Sequence, residues 1–165
     1  MKCMVPGRQR QMHPLARPHI RRQLGDCAQL TLAEVFGYGD KRLREIRGDV
    51  QRMYDYYDAR YPEQTDYIKA LIDLFIPEGK EFDYPVRPGS GEKVMLGREH
   101  DIVYLCYAYQ LRRRGFGQDR IVRFQEELCR RIRYYNRAFD GDMREVVPVM
   151  ENRLAQRGIR LEGSV

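Results

Sequence analysis

Phe36-Gly37-Tyr38-Gly39-Asp40-Lys41-Arg42-Leu43 decides the fold, because Arg114-Gly115-Phe116-Gly117-Gln118-Asp119-Arg120-Ile121 answers it at a constant offset of 78 residues. The correspondence runs on without a gap. Leu43, Ile46 and Val50 fall on Ile121, Phe124 and Leu128, while Arg52, Tyr56 and Tyr57 fall on Arg130, Tyr134 and Tyr135. Six of the 22 positions from Gly37 to Asp58 are identical, where chance supplies roughly one or two, and a fixed-period self-match points to a duplicated supersecondary unit. Both copies keep the glycines and the apolar positions but differ in surface charge.

Each Gly-x-Gly stretch follows one apolar pattern and precedes another. Ile20, Leu24, Cys27, Leu30, Thr31 and Val35 suggest a helix from about His19 to Phe36, with a bend at Gly25. Gly37 suits a left-handed helix stop, Gly39 a second unusual angle, and Asp40 an N-cap. Leu43, Ile46, Val50, Met53 and Tyr57 then step by three and four residues, an apolar stripe over four helical turns. Pro62 ends that helix, and Tyr67–Ile76 reads as a short third one. The second copy follows the same plan. A helix from near Arg98 carries Ile102, Leu105, Cys106 and Tyr109. A long helix from Asp119 to Arg137 carries Ile121, Phe124, Leu128, Ile132 and Tyr135, and a last one, bent by Pro148, carries Met143, Val146, Met150 and Leu154. The expected fold is all-α, two three-helix units related by an internal repeat. The divisions are a basic mobile arm (1–18), a first unit (19–76), a Pro/Gly linker (77–97), a second unit (98–158) and a tail (159–165).

Composition agrees with this. A 42% hydrophobic share can build a core, and a 33% charged share with few Ser or Thr fits a helical surface. No stretch nears the roughly 18 apolar residues that span a bilayer, and the first residues hold no signal-type apolar region. Cys3, Cys27, Cys106 and Cys129 lie far apart without a CxxC pair, which suggests reduced thiols and a cytoplasmic setting. The net charge of +6 is unevenly distributed: residues 1–22 carry +6, residues 49–101 carry −5 and residues 102–165 carry +5. Arg outnumbers Lys 25 to 5, and guanidinium is the better fork for phosphate.

Helix, Gly-containing turn and helix is the skeleton of a helix-turn-helix, whose second helix can enter a DNA groove. The candidate nucleic-acid residues are Arg112, Arg113, Arg114, Arg120, Arg123, Arg130, Arg131, Arg133 and Arg137, nine bases against three acids over residues 102–137. The plain alternative is a solvated face in which Arg123 pairs with Glu126 or Glu127, and Glu127 with Arg131. The turns contain no complete phosphate-loop pattern. Most of the 12 tyrosines read as core or rim, but Tyr56 and Tyr134, off the stripe in both copies, suit base stacking. Cys3, His13, His19 and Cys27 have gaps unlike a compact zinc module, so neither metal nor cofactor is expected. Ser90, Ser164 and His100 assemble no catalytic constellation, so no enzyme is expected either.

The Phe36–Leu43 stretch, following Leu30–Val35, resembles an FGFGxxRL pattern of small uncharacterised proteins of phages and prophages of Gram-positive bacteria. The similarity covers about 30 residues per copy. This chain departs from it by its two copies, long linker and basic arm. The resemblance supplies no catalytic residues. It implies a phage context, in which small basic helical proteins bind DNA or RNA or block a host nucleic-acid enzyme, as anti-CRISPR proteins do. Two functions follow as expectations. One is a module that grips nucleic acid through Arg-rich helices. The other is an inhibitor of a host nuclease, such as a CRISPR effector, docking through Asp55, Asp58, Glu63, Asp66 and Asp73, with Glu78, Glu81 and Asp83 beside them.

Overall fold

A computed structural model describes residues 17–75, 92–138 and 143–160. The described residues are all-helical: α1 (Arg17–Phe36), α2 (Asp40–Arg60), α3 (Gln64–Asp73), α4 (Glu92–Arg113), α5 (Gln118–Ala138) and α6 (Met143–Gln156). Residues 1–16, 76–91, 139–142 and 161–165 lie outside them, and with these go most of the expected arm, linker and tail.

The helix ends have local causes. Gly37 at φ +70° and Gly115 at φ +95° are left-handed, and the chain then turns back so that Tyr38 N–H reaches the Leu32 carbonyl and Phe116 N–H that of Leu111, both at 3.0 Å. Gly39 is different. Its φ of −88° is ordinary, and Gly39 itself occupies the N-cap, so Asp40 is the first helical residue rather than the cap. Asp40 pairs instead with Arg44 at 2.7 Å and accepts the Arg160 N–H at 3.1 Å. Helix α4 begins at Glu92, inside the segment expected as linker, because Glu92-Lys93-Val94-Met95-Leu96 are good helix formers and Gly97 is tolerated. Helices α1 and α6 run through Gly25 and Pro148 respectively.

The two left-handed glycines give a direct expectation. A Cβ at Gly37 or Gly115 would meet nothing within 4 Å, so valine there costs torsional strain alone, about 1–2 kcal/mol. Thermal melts should show that loss for Gly115→Val, while Gly39→Ala, at an ordinary φ, stays close to wild type.

The stripes of α2 and α5 point inward: Leu43, Ile46, Val50 and Met53, and Ile121, Phe124, Leu128, Ile132 and Tyr135, are buried, while Tyr57, expected to complete the α2 stripe, is half-buried and Tyr54 is buried instead. Helices α1 and α4 are buried on more than a stripe. Residues 26–33 of α1 and 102–108 of α4 are enclosed all round, as in a helix at the centre of a fold. Helix α1 packs on α4, α5 and α6, and α4 packs on α1, α2 and α3. The segments expected as separate units (19–76 and 98–158) therefore do not wrap cores of their own. Each central helix lies chiefly against the second and third helices of the other half, and one hydrophobic core is shared.

Residues 78 apart meet along the middle. Arg21 Nε donates to Glu99 at 2.7 Å, Gln29 Nε2 donates to Tyr107 Oη at 2.8 Å, and the Tyr38 and Phe116 rings lie 6.2 Å apart edge to face. Contacts recurring at advancing positions mean that α1 and α4 run parallel, in register. Exchanging α1 with α4, α2 with α5 and α3 with α6 maps the set of packed helix pairs onto itself. Local contacts match too. Arg42 lies over Tyr38 as Arg120 lies over Phe116, Asp49 pairs with Arg52 as Glu127 pairs with Arg130, and Tyr56 abuts Tyr57 as Tyr134 abuts Tyr135.

One buried ionic centre ties the halves together. Glu99 is fully enclosed and accepts from Arg21 and, at 2.7 Å, from Gln64 Nε2. The other guanidinium edge of Arg21 donates to both Asp58 oxygens at 2.8 and 2.6 Å, and its plane lies 5.1 and 5.5 Å from the Tyr54 and Tyr67 rings. Burial works against the Arg21 charge, but Asp58 and Glu99 outweigh it and raise its pKa above the ordinary arginine range.

Candidate nucleic-acid interface

The two Gly-x-Gly turns come together and build an aromatic cluster. The Phe36 and Phe116 rings are 5.2 Å apart, Tyr38 stands edge-on to Phe116, and Phe124 lies beneath at 6.4 Å from Phe36. Three guanidinium groups sit on it: Arg42 at 5.6 Å from Tyr38, Arg120 at 4.3 Å from Phe116 and Arg123 at 5.6 Å from Phe36. Stacking on a ring fixes the plane of the group and leaves its N–H edge for an anion. All three residues are exposed, as is Lys41 beside them. The cluster gathers three ring-seated guanidinium groups at the junction of the halves.

Arg120 and Arg123 were candidates in the sequence. Arg42 was not, although it lies 78 residues before Arg120 and the sequence self-match could have named it. The other candidates divide. Arg130, Arg133 and Arg137 are exposed along α5, with Arg130 paired to Glu127 at 2.9 Å. Arg113 is exposed with its guanidinium 5.9 Å from Tyr109, and Arg112 is half-buried, 5.9 Å from Phe75. Two are committed internally. Arg114 bonds Asp49 and both the carbonyl and the side chain of Gln110, and Arg131 turns inward to Glu34 at 2.9 Å. Arg131 thus pairs across helices, in place of the i,i+4 pairing with Glu127 expected for a solvated face.

The acidic candidates are also sorted. Asp58 is bound by Arg21 and serves the ionic centre. Asp55 accepts from Gln51 at 3.1 Å, Glu63 precedes α3, Asp66 lies in its first turn and Asp73 ends it; these four are exposed. Glu78, Glu81 and Asp83 lie outside the described residues. Tyr56 and Tyr134 are 50% and 62% exposed, so both present a free edge for contact.

The thiols are unreactive by environment. Burial pushes Cys27 up to about 12 and Cys106 well above the ordinary thiol range. Cys129 Sγ lies 3.7 Å from His100 Nε2, and His100 Nδ1 lies 3.6 Å from Asp101. That order of groups resembles a nucleophile and base, but the sulfur is enclosed by the core at 1% exposure and offers no approach to a substrate. Among the described residues no group of three or more His, Cys, Asp or Glu could hold a metal ion, and no helix is long and apolar enough to cross a membrane. Cys3 and His13 fall outside those residues. No protein-family model, curated protein or solved structure matches the chain.

Proposed function

We propose that this chain is a non-enzymatic, phage-type protein, built by duplication of a three-helix unit, that grips nucleic acid through Arg-rich helical surfaces in a bacterial cytoplasm. The observation that carries the reading is the group Arg42, Arg120 and Arg123 seated on Phe36, Tyr38 and Phe116. Exposed guanidinium groups seated on rings at the meeting point of two helical turns suit a run of phosphates better than a carboxylate pocket. The in-register contacts between residues 78 apart support the duplication, since fusing two copies of a dimer-forming unit brings like positions together.

The test is the salt dependence of binding. Wild type should shift labelled duplex at micromolar concentration in 50 mM salt and lose most of that by 200 mM. Replacing Arg42, Arg120 and Arg123 with Gln should flatten the log–log salt slope by about 0.9 per lost phosphate contact, roughly 2.7 in all. The three lie outside the core, so the melt should barely move. No shift in 50 mM salt would overturn direct binding. One observation favours inhibition of a host nuclease instead: Asp55 on α2 and Glu63, Asp66 and Asp73 around α3 are each exposed. On that reading charge reversal of these four abolishes inhibition while the arginine variant retains it.

A further inference from the structure

The two halves differ at one corresponding place. In the second half, Arg131 and Arg153 both reach Glu34, at 2.9 and 2.8 Å, and Arg153 also donates to Tyr135 Oη at 2.7 Å. These bonds tie α1, α5 and α6 together. In the first half, the residues 78 positions away are Met53 for Arg131, Phe75 for Arg153, Arg112 for Glu34 and Tyr57 for Tyr135. There Arg112 lies 5.9 Å from the Phe75 ring centre, and Met53 brings a thioether where Arg131 brings a charge. Beside Met53 and Tyr57 an open-sided cavity of about 280 Å³ lies between α2, the end of α3 and α4.

Its lining is of four kinds. Tyr56, Tyr57 and Tyr109 supply aromatic surface, with Met53 and Leu74 as the apolar remainder. Gln110 supplies a buried amide whose oxygen accepts from Arg114 at 2.9 Å, while its Nε2 faces the Met53 sulfur at 3.2 Å. A thioether is a weak acceptor, so that N–H₂ can turn to a better one. Arg52 and Arg113 stand at the rim, and Arg60 lies 3.7 Å over the Tyr56 ring just outside it. Asp49, also in the lining, is charged and spoken for: partial burial opposes ionisation, but bonds from Arg114 and Arg52 hold its carboxyl below the usual range.

Resting on the nucleic-acid reading above, we infer that this cavity takes a single unpaired nucleobase of a single strand, with the adjoining phosphates on Arg52, Arg60 and Arg113. Its volume lies just under the roughly 300 Å³ at which pockets for larger ligands begin, which suits one planar ring system. Tyrosine faces stack on any base, and the Gln110 amide meets a ring nitrogen or carbonyl. A rim of guanidinium groups matches a ligand that is planar at one end and anionic at the other. At the positions 78 residues away stand Thr31, Leu32 and Val35 in place of Tyr109, Gln110 and Arg113, so the same lining is not repeated there.

Anisotropy with labelled single-stranded DNA, single-stranded RNA and duplex DNA tests this, together with calorimetric titration of AMP and UMP. Tyr56 is half-exposed, so Tyr56→Ala keeps the fold. It should weaken single-strand binding roughly 5- to 150-fold and leave duplex binding nearly unchanged, whereas Tyr134→Ala should alter neither. A second variant, Met53→Arg with Arg112→Glu, introduces the counterpart of the Arg131–Glu34 pair beside the cavity and should remove both the preference for single strands and any heat from the mononucleotides. The DNA and RNA arms show which strand is preferred. If Tyr56→Ala binds single strands as wild type does and neither mononucleotide gives saturable heat, the cavity is no base site. That result, with duplex binding still lost on mutating Arg42, Arg120 and Arg123, leaves the surface reading intact. Saturable mononucleotide heat without any polymer binding would keep the cavity and overturn the surface instead.

Discussion

Arg21→Ala is expected to destabilise the protein by about 3–5 kcal/mol, the usual cost of stripping one partner from a buried ion pair. Glu99 is fully enclosed, so it cannot recover hydration when the guanidinium goes, whereas Asp58 at 47% side-chain exposure can. The loss therefore comes from the Glu99 side. A rescue separates charge from packing: Arg21→Met combined with Glu99→Leu removes both buried charges and should regain most of the stability. Urea unfolding is the measurement, with the midpoint falling for the single variant at an unchanged slope. Equal midpoints for Arg21→Ala and wild type would falsify the assignment of Arg21 as the hub between the halves.

Asp26 should give the protein an inverted acid response. Its carboxyl is pushed up to about 7, first by burial and then by the neighbouring Glu151 charge, against the opposing pull of Arg22 and Arg47. In the unfolded chain the same group titrates near 3.8. Between these values the native state holds a proton that the unfolded state has released. Stability from this site is therefore fullest below pH 4, falls as pH rises towards 7, and is flat beyond. Asp26→Asn keeps a donor in place of the protonated acid and removes the slope, with an expected gain of about 2–4 kcal/mol at pH 8 and little change at pH 4. Melts at the two pH values check it. A variant that loses stability at pH 8 would show that the charge at Asp26 is needed where it lies.

The parts of the fold that sequence made legible are those with local causes. Helices α2 and α5 announce themselves because their apolar residues recur by threes and fours on an otherwise charged surface, and the glycines at 37 and 115 mark turns that only positive φ closes. Helices α1 and α4 carry a weaker signal for a physical reason. They are enclosed on every side, so their residues 26–33 and 102–108 are not periodic, and nothing in them says which half they pack against. The ionic centre was hidden for the same reason. Arg21, Asp58 and Glu99 are each ordinary surface-type residues until the topology brings them together. Of the candidate arginines, sequence could not separate Arg131 and Arg114, which hold Glu34 and Asp49, from Arg120 and Arg123, which face outward. Arg42 was legible too, because the self-match at offset 78 sets it opposite Arg120.

The placement of α1 also has a consequence for biosynthesis. Its packing partners beyond α2 are α4, α5 and α6, all encoded later in the chain. A ribosome releasing about 5–20 residues per second presents Leu24, Leu30 and Leu32 to the cell well before the surfaces that cover them have been made. Until those helices emerge, the apolar faces of α1 have only α2 of the first half to rest on. The cost of sharing one interior between distant stretches of chain is thus met during translation, before the mature protein meets any partner.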